Sequence, residues 1–394
     1  MDELYIQSLK ESAIRHFGTK PGNINMFFAP GRINIIGEHT DYNLGYVLPC
    51  AISQGTYLAI ALNERDTFRL ASSNFPSTAE IGQQSLNDPS VSEWIRYPLG
   101  IIREFMLKDI AVPGMDLYFS GNIPNGAGLS SSASIEMVTA MALNELTNAG
   151  ISMFDLVLMA KHAENTFVGV NCGIMDMFAV GYGKSNSAML IDCRSNEFRI
   201  IPFNPSGCKL LISDTRKVRG LADSKYNERV AECNAAIEDL RKFIPIESLR
   251  DMNPSLLQKY ADIFRSDHVY RRVRHVVTEN KRVEDAVSFL ATGNLEGLGI
   301  LMNASHDSLR DDYEVTGREL DILVDETRKV PGVLGSRMTG AGFGGCTVSL
   351  VKEEVIEELC RHVEKVYSAQ TGLKPAFYIA EPGDGVCRIP LLLS

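Results

Sequence analysis

A stretch rich in glycine and serine, between a predicted strand and a predicted helix, constrains this chain most strongly. Residues Pro124–Ser134 read PNGAGLSSSAS. Asp116–Ser120 before it predicts a strand, and the apolar spacing that follows Ser130 predicts a helix. Gly126 and Gly128 allow positive φ angles and let a ligand approach the backbone. The unpaired N–H groups and the dipole at the start of a helix favour an anion such as phosphate.

Two interpretations of this stretch stay open on its residues alone. It is a phosphate-binding turn, in which Ser130, Ser131 and Ser132 add hydroxyls for phosphate or Mg²⁺, or it is an ordinary turn capped by serine. The sequence contains no G-x-x-x-x-G-K followed by serine or threonine, which excludes a Walker A loop.

A second glycine-rich segment, Met338–Cys346, reads MTGAGFGGC and spaces its glycines as G-x-G-x-x-G. A dinucleotide-binding loop needs a helix after these glycines, but Thr347–Val351 predicts a strand. We therefore reject the Rossmann interpretation. A tightly packed hairpin and a backbone loop lining a phosphate site remain equally open.

A third segment, Ala29–Asn43, concentrates polar side chains among turn residues. Its sequence, APGRINIIGEHTDYN, contains Arg32, Glu38, His39 and Asp41. Carboxylates accept hydrogen bonds from hydroxyl groups, and a guanidinium stabilises developing negative charge. The segment suits recognition of a polyhydroxylated ligand, with a solvated loop and a local ion pair as the alternative.

Asp176 is a lone carboxylate in an otherwise apolar run, residues 168–182. Burying such a group is costly unless it is paired or hydrogen-bonded. We therefore expect a functional residue, with a helix cap or an aspartate that is hydrogen-bonded within the core as the alternative. Tyr226 lies in a predicted helix, where it is either plain surface or a substrate contact.

Composition excludes several classes of protein. Over 394 residues, 39 Lys and Arg against 49 Asp and Glu give a net charge of −10, which argues against a general nucleic-acid binder. We find no apolar run long enough for a bilayer span and no signal peptide at the N-terminus. Eight scattered cysteines without a C-x-x-C pair argue against a zinc site or a disulfide framework and fit a reducing cytoplasm.

The order of predicted elements indicates an α+β protein of two domains. The first half reads mainly as short strands, with helices after Ser130 and over Phe154–Phe167. A strand at Leu210–Asp214 then leads into a long helical region, and the tail alternates strands with one helix. We place the boundary so that the domains span residues 1–204 and 205–394, with an intimate interface because both halves carry motifs.

Three segments together resemble a known family. Residues Gly31–Tyr42 resemble the galactokinase signature, and Pro124–Ser134 and Met338–Cys346 resemble the second and third motifs of the GHMP kinase superfamily. They occur in the expected order, and the resemblance spans nearly the whole chain. It implies an N-terminal domain similar to ribosomal protein S5 domain 2, a ferredoxin-like C-terminal domain with extra helices, and an active site between them.

The resemblance also implies a reaction and its residues. The reaction is transfer of the ATP γ-phosphate to the anomeric hydroxyl of D-galactose, the first committed step of galactose catabolism, in the cytoplasm and with no obligate protein partner. Asp176 and Arg32 are the implied catalytic residues, and Ser132 and Glu164 the implied Mg²⁺ ligands. The implied sugar-binding residues are Glu38, His39, Thr40, Asp41, Gly173, Asp176 and Tyr226. The implied nucleotide-binding residues are Ser72, Gly126, Ala127, Gly128, Leu129, Ser130, Ser131, Ser132, Gly340 and Gly342.

Three positions depart from the family pattern and leave the sugar less secure than the reaction. Met177 stands where glutamine is usual, Leu44 where a small or polar residue is common, and Asp214 where asparagine is usual. The alternatives are the same reaction on arabinose, galactosamine or galacturonate, and a sensor that binds galactose and ATP without turnover. Such sensors lack part of the serine-rich motif, which is complete here.

Overall fold

The computed structural model describes residues 3–86, 91–124, 128–170, 172–217 and 222–390. The α-helices of this part are α1 (Glu3–Phe17), α2 (Glu93–Leu107), α3 (Ser131–Leu146), α4 (Met153–Ala163), α5 (Met175–Tyr182), α6 (Ala222–Leu240), α7 (Pro254–Lys259), α8 (Asp267–Ala291), α9 (Leu295–Ser308), α10 (Arg318–Arg328) and α11 (Ile356–Thr371). The strands are β1 (Asn25–Asn34), β2 (Tyr46–Val47), β3 (Pro49–Leu62), β4 (Thr67–Ser72), β5 (Ala79–Gly82), β6 (Met115–Gly121), β7 (Ser187–Asp192), β8 (Glu197–Pro202), β9 (Cys208–Asp214), β10 (Val333–Thr339), β11 (Cys346–Lys352), β12 (Ala376–Ala380) and β13 (Cys387–Ile389).

The first half of the chain builds a six-stranded sheet in the order β13-β1-β3-β6-β4-β5. Its neighbouring strands are antiparallel except β4 and β6. Helices α2 to α5 cover one face with a large apolar core, to which α3 contributes Met137 and α4 Val157. Helix α1 covers the other face with Leu9 and Ala13. Both faces are therefore buried, which holds the start of α3 in place against β1.

The second half builds an antiparallel sheet in the order β10-β11-β9-β12. Counted along the chain this is the 4-1-3-2 order of a ferredoxin-like fold, which confirms the expected α+β class. Helices α10 and α11 cover one face, and α9 packs on the other through Leu298 and Met302. Helices α6, α7 and α8 form a separate apolar cluster with the turn around Tyr313.

The two halves share a core rather than a thin interface. One apolar cluster joins Ile33 of β1 and Ile35, which follows that strand, to Leu210 of β9 and Val348 of β11. The last strand, β13, returns to pair with β1. The division at residues 204 and 205 stays a prediction, and β13 near the C-terminus belongs to the sheet of the first half.

Most predicted elements are confirmed, and the exceptions have local causes. Strand β1 passes Pro30 and Gly31, two residues that usually end a strand, and continues to Asn34 through a bulge between Pro30 and Arg32. The sequence does not predict helices α1, α2, α5, α7 and α10. Among the described residues, no helix combines the length and apolar character that crossing a bilayer requires.

Candidate active site

The start of α3 forms a tight turn against the bulge of β1. Ser130, just before the helix, has a left-handed backbone with φ 61°, a conformation that costs energy in a residue other than glycine. A Cβ atom on Gly31 would lie 2.7 Å from the Leu129 carbonyl oxygen, so the close approach needs glycine. The Arg32 amide donates to the same carbonyl at 3.1 Å. Gly126 and Ala127 lie outside the described residues.

Arg32 holds Asp176 in place through a bidentate ion pair. Its Nε and Nη2 each donate to one carboxylate oxygen of Asp176 at 2.8 Å, and its Nη1 donates to the Gly128 carbonyl at 2.8 Å. The guanidinium is almost fully buried, whereas the Asp176 side chain keeps 25% exposure. Burial lowers the pKa of Arg32, but the Asp176 carboxylate, followed by Glu38 and Asp41, outweighs that effect and leaves the pKa raised.

Asp176 has one acceptor position to spare. It lies in the first turn of α5, and its Oδ2 also accepts from the Ser130 hydroxyl at 2.5 Å. Arg32 and Ser130 thus occupy three of the roughly four lone-pair positions of the carboxylate. The remaining exposure faces a cavity, which makes this acid available to a hydroxyl group of a bound ligand.

That cavity has a volume of ≈ 270 Å³ and is called the sugar cavity below, after the sugar-binding residues that the family resemblance predicts. Residues from both halves of the chain line it: Arg32, Glu38, His39, Asp41, Glu164, Gly169, Val170, Cys172, Gly173, Met175, Asp176, Tyr226, Asn227, Gly340 and Ala341. The structure therefore brings together most of the residues that the sequence predicts to bind a sugar.

The carboxylate of Glu38 is held by the glycine-rich turn between β10 and β11. Its Oε1 accepts from the Gly340 amide at 2.8 Å, and its Oε2 accepts from the Asn34 side chain at 3.0 Å. Arg337 lies behind it, with Nη1 at 3.4 Å from Oε1. A strand follows the glycines, so they form a hairpin, and Gly340 and Ala341 of its turn line the cavity. That this backbone lines a phosphate site stays a prediction.

Asp41 fits against a glycine. A Cβ atom on Gly173 would lie 2.1 Å from Asp41 Oδ2, so a larger residue at this position would displace the carboxylate. Burial, helped by the nearby charges of Asp176 and Glu38, raises the pKa of Asp41 to about 6, against hydrogen bonds from the backbone of Tyr42 and of Asp41 itself. Its charged form is therefore easily lost in mildly acidic solution.

His39 faces the cavity as a neutral ring. Burial, reinforced by His275, Arg229 and Arg337, lowers the pKa of His39 to about 3. The ring of Tyr226 lies 5.7 Å from that of His39, centroid to centroid. These two rings form an aromatic wall of the sugar cavity.

The buried carboxyl groups of Glu164 and Glu136 lie near the start of α3. Glu164 begins a single π-helical turn after α4, a feature frequent at functional sites. Burial raises its pKa to about 7, while Cys172 and Ser132 oppose this by hydrogen bonding. Glu136 of α3 is fully buried, and within the described residues neither of its carboxylate oxygens has a hydrogen-bond partner. Hard oxygen donors and an uncompensated buried carboxyl fit a divalent cation such as Mg²⁺.

A second cavity of ≈ 560 Å³, called the aromatic cavity below, opens on the other side of Ser132. Its walls include Phe75 and Trp94, whose rings stack at 5.9 Å with an interplanar angle of 13°. The Trp94 indole N–H donates to the Ser77 hydroxyl at 2.8 Å. The cavity also contains Ser72 and Ser131, so a planar group there would lie beside the start of α3.

Comparison with known proteins decides the family. The galactokinase galactose-binding signature matches residues 14–62, and the GHMP kinase N-terminal and C-terminal domain families match residues 96–184 and 286–369. Galactokinase of Bacillus subtilis is 48% identical over 373 residues, which cover 94% of this chain and 95% of the relative. The chain belongs to the galactokinase family.

Solved structures agree with this assignment. The crystal structure of Lactococcus lactis galactokinase complexed with galactose superposes with a TM-score of 0.93 at 38% identity, covering 98% of this chain and all of that one. Methanococcus jannaschii mevalonate kinase superposes with a TM-score of 0.69 at 21% identity, covering 92% of this chain and 99% of that one. The second match shows the shared GHMP kinase fold.

Some residues predicted from the galactokinase resemblance lie away from the cavities. Thr40 is fully buried, and its hydroxyl donates to the carbonyls of Gly37 and Tyr46 at 2.8 and 2.6 Å. Its position supports the loop rather than a sugar contact. Gly342 packs against Val315, where a Cβ atom would lie 2.2 Å from the carbonyl oxygen, and Leu129 is buried in the shared core.

The three departures from the galactokinase pattern also lie outside the described lining of both cavities. Met177 is fully buried in the N-terminal core, and Leu44 ends a short 3-10 turn with φ 57°. Asp214 ends β9, where it accepts from the Arg216 amide at 2.9 Å. These positions leave the cavity surface itself unchanged.

Two functional candidates escaped sequence reasoning. Trp94 is the single tryptophan of the chain, but no motif surrounds it, and only the fold brings it near Ser132. Glu136 carried a usable signal, because it interrupts the apolar spacing of α3 with a charge that burial then leaves without a partner.

Proposed function

We propose that this member of the galactokinase family transfers the γ-phosphoryl group of ATP to the anomeric hydroxyl of D-galactose, giving α-D-galactose 1-phosphate and ADP. One observation carries the proposal. Asp176, paired to Arg32, lies at the floor of the sugar cavity and is hydrogen-bonded to Ser130 at the start of α3. The Asp176 carboxylate therefore contacts both the cavity proposed to hold the sugar hydroxyl and the turn proposed to hold the phosphates.

The cavity binds the sugar through charged and neutral hydrogen-bonding groups. Glu38 and Asp41 accept hydrogen bonds from sugar hydroxyls, and His39 and Tyr226 pack against the ring. Gly173 is part of this site because its missing side chain makes room for Asp41. Because hydrogen bonds already hold the Glu38 carboxylate in place, sugar binding costs less conformational entropy.

Asp176 orients the anomeric hydroxyl and takes up its proton as the new P–O bond forms. Phosphoryl transfer passes through a loose transition state, so alignment and charge stabilisation matter more than a strong base. Arg32 stabilises negative charge that develops on the attacking oxygen. The bidentate pair also fixes the direction of the free acceptor position.

ATP places its phosphates at the start of α3 and its base in the aromatic cavity. The backbone N–H groups there and the helix dipole attract the triphosphate, with Gly128, Ser131 and Ser132 closest to it. Ser132 and Glu164 would hold Mg²⁺. When bound, this ion neutralises charge on the phosphates. A cytoplasmic location is also proposed, supported by the scattered, unpaired cysteines.

The activity is tested by measuring ADP release with galactose, glucose, arabinose, galactosamine and galacturonate in parallel. Galactose is expected to give the largest kcat/KM. Fast turnover of another sugar in its place would move the assignment to that sugar. Binding of galactose and ATP without ADP release would indicate the sensor.

The raised pKa of Asp41 predicts a loss of sugar affinity in acid. An ionised carboxylate only accepts hydrogen bonds, and protonation removes acceptor capacity. Because the pKa of Asp41 is about 6, the association constant for galactose should be constant above pH 7 and fall below pH 6, by up to about tenfold per pH unit. Calorimetric titration with galactose in the absence of ATP measures this directly.

An Asp41→Asn variant is the control for this prediction. Because the folded-state pKa lies above the unfolded value, the native state binds protons more tightly, and the charged group costs stability at pH 7. The variant should gain about 3 kcal/mol of unfolding free energy at pH 7, the equivalent of the rise in the Asp41 pKa to about 6, and bind galactose poorly at every pH. A flat galactose affinity down to pH 5 in the unmodified protein would contradict the account.

Replacing Trp94 by alanine should raise KM for ATP by about 5–100-fold, because stacking on an aromatic ring contributes about 1–3 kcal/mol per base. KM for galactose should change little. Since Trp94 is the single tryptophan, ADP should also alter the intrinsic fluorescence of the unmodified protein. Phe243→Ala, at an aromatic residue with 58% exposure elsewhere, is the control. An unchanged KM for ATP would show that the adenine base of ATP does not bind in this cavity.

A further inference from the structure

A chain of buried hydroxyl and thiol groups leads from the C-terminal half to His39. The Cys233 sulfur lies 3.1 Å from the Tyr313 hydroxyl, which lies 2.7 Å from the Tyr42 hydroxyl. The Tyr42 hydroxyl lies 2.9 Å from Nδ1 of His39. Cys233 and Tyr313 are at most 1% exposed, so water does not compete at that end of the chain, while Tyr42 is partly buried. We call it the Cys233–His39 relay.

Each hydroxyl of the relay has one proton and bonds to its neighbours in the row. Tyr313 therefore donates either toward Tyr42 or toward Cys233, and the choice fixes the donor direction of the neighbouring groups. If the protons point toward His39, Nδ1 accepts and Nε2 carries the ring proton. If they point away, Nδ1 carries it and Nε2 is an acceptor.

The His39 end of the relay favours protons pointing toward the ring. Nδ1 of His39 is occupied by the Tyr42 hydroxyl at 2.9 Å, and within the described residues the buried Nε2 has no hydrogen-bond partner. Tyr42 can donate to Nδ1 only when that nitrogen carries a lone pair, which places the ring proton on Nε2. The Ala341 backbone favours a proton on this ring, against the larger effect of burial, as a carbonyl oxygen does and an N–H does not.

The far end agrees with this direction. The Asn43 amide nitrogen donates to the main-chain carbonyl of His39 at 2.9 Å, which identifies it as the NH₂ group, and it also donates to the Cys233 sulfur at 3.6 Å. The sulfur thus already accepts one hydrogen bond. It completes its bonding best by donating its S–H to Tyr313, which then donates to Tyr42.

We propose that Tyr313 is a positioning residue that, through Tyr42, holds His39 as the neutral Nε2–H tautomer and so presents a hydrogen-bond donor to the sugar. The inference rests on the proposed function in assigning the ligand of His39. It gives the cavity a donor next to the acceptor carboxylates Glu38 and Asp41. The sugar atom opposite His39 must then be an oxygen that accepts a hydrogen bond from Nε2–H.

The test replaces Tyr313 by phenylalanine and observes the tautomer of His39 by ¹⁵N NMR. With seven histidines in the chain, long-range ¹H–¹⁵N spectra distinguish the two ring nitrogens, and His39→Asn assigns the signal. The unmodified protein should show Nε2–H alone, and Tyr313→Phe a mixture of tautomers. KM for galactose should rise about 5–10-fold in Tyr313→Phe with kcat nearly unchanged.

Tyr367→Phe is the matched control. Tyr367 is also fully buried, and its hydroxyl donates to the Thr215 carbonyl at 2.7 Å, outside the relay. It should lower stability without changing the His39 tautomer or KM. If Tyr313→Phe does not fold, Cys233→Ala breaks the relay one step further away, and Cys233→Ser should restore it.

The proposal is overturned if the unmodified protein shows Nδ1–H, or if Tyr313→Phe leaves the tautomer unchanged. An equal KM increase in Tyr313→Phe and Tyr367→Phe would also overturn it, because both would then act through stability. The NMR result does not depend on turnover. A tautomer that shifts as expected in a protein without galactose phosphorylation would therefore reject the proposed function and leave the relay intact.

Discussion

Asp176→Asn is expected to lower kcat by about 10²–10⁴-fold, while the affinities for ATP and galactose change by less than about threefold. The amide keeps the size of the carboxylate but loses its charge, and it pairs poorly with the two Arg32 donors. It can no longer take up the proton of the anomeric hydroxyl. Steady-state kinetics together with calorimetric binding of each substrate separate this effect from a loss of affinity.

Asp214→Asn is the control for that variant. Asp214 is also a buried acid, 4% exposed, with an arginine partner 3.3 Å away, but it lies at the end of β9 and outside the described cavity lining. Its kcat should stay close to that of the unmodified enzyme. Near-normal turnover in Asp176→Asn would refute a catalytic role for this carboxylate.

Arg337→Met is expected to lower the unfolding free energy by about 3–5 kcal/mol, because it leaves a buried partner charge uncompensated. The guanidinium is fully buried, donates to the Asn34 carbonyl at 2.9 Å, and lies 3.4 Å from Glu38. It therefore connects the C-terminal sheet to the loop that carries the sugar-binding acids. Chemical denaturation measures the loss, and galactose affinity should fall with it.

A double-mutant cycle with Glu38→Gln separates this charge effect from simple loss of packing. Once Glu38 is neutral, removing Arg337 no longer leaves a buried carboxylate without its partner. The combined variant should then be more stable than the sum of the two single losses predicts. Strict additivity, or a loss below about 1 kcal/mol in Arg337→Met alone, would contradict the assigned role.

The site residues that could be predicted from the sequence lie in short local patterns. Glycine and serine around Ser130 predicted the turn at the start of α3, and the cost of a lone acid in an apolar run singled out Asp176. The strand after Gly345 correctly excluded a dinucleotide loop. In each case the signal lay within a few residues, where backbone conformation and burial depend on neighbouring side chains.

Contacts between distant segments were not predictable in the same way. Tyr42 and Tyr313 are 271 positions apart, and no periodicity links them. Thr40 stands between His39 and Asp41 in the sequence, yet its side chain turns inward to two carbonyls. Trp94 joins the proposed nucleotide site only because α2 packs beside α3. Which side chains face a cavity is decided by tertiary packing.

The structure of the product tests the central claim most directly. If Asp176 directs the anomeric hydroxyl to the γ-phosphate, ³¹P and ¹H NMR of a reaction with ATP and galactose should show one sugar phosphate. Its phosphorus should couple to the anomeric proton of the α-pyranose. A phosphate coupled to the C6 protons, or ADP formed without any sugar phosphate, would contradict the account.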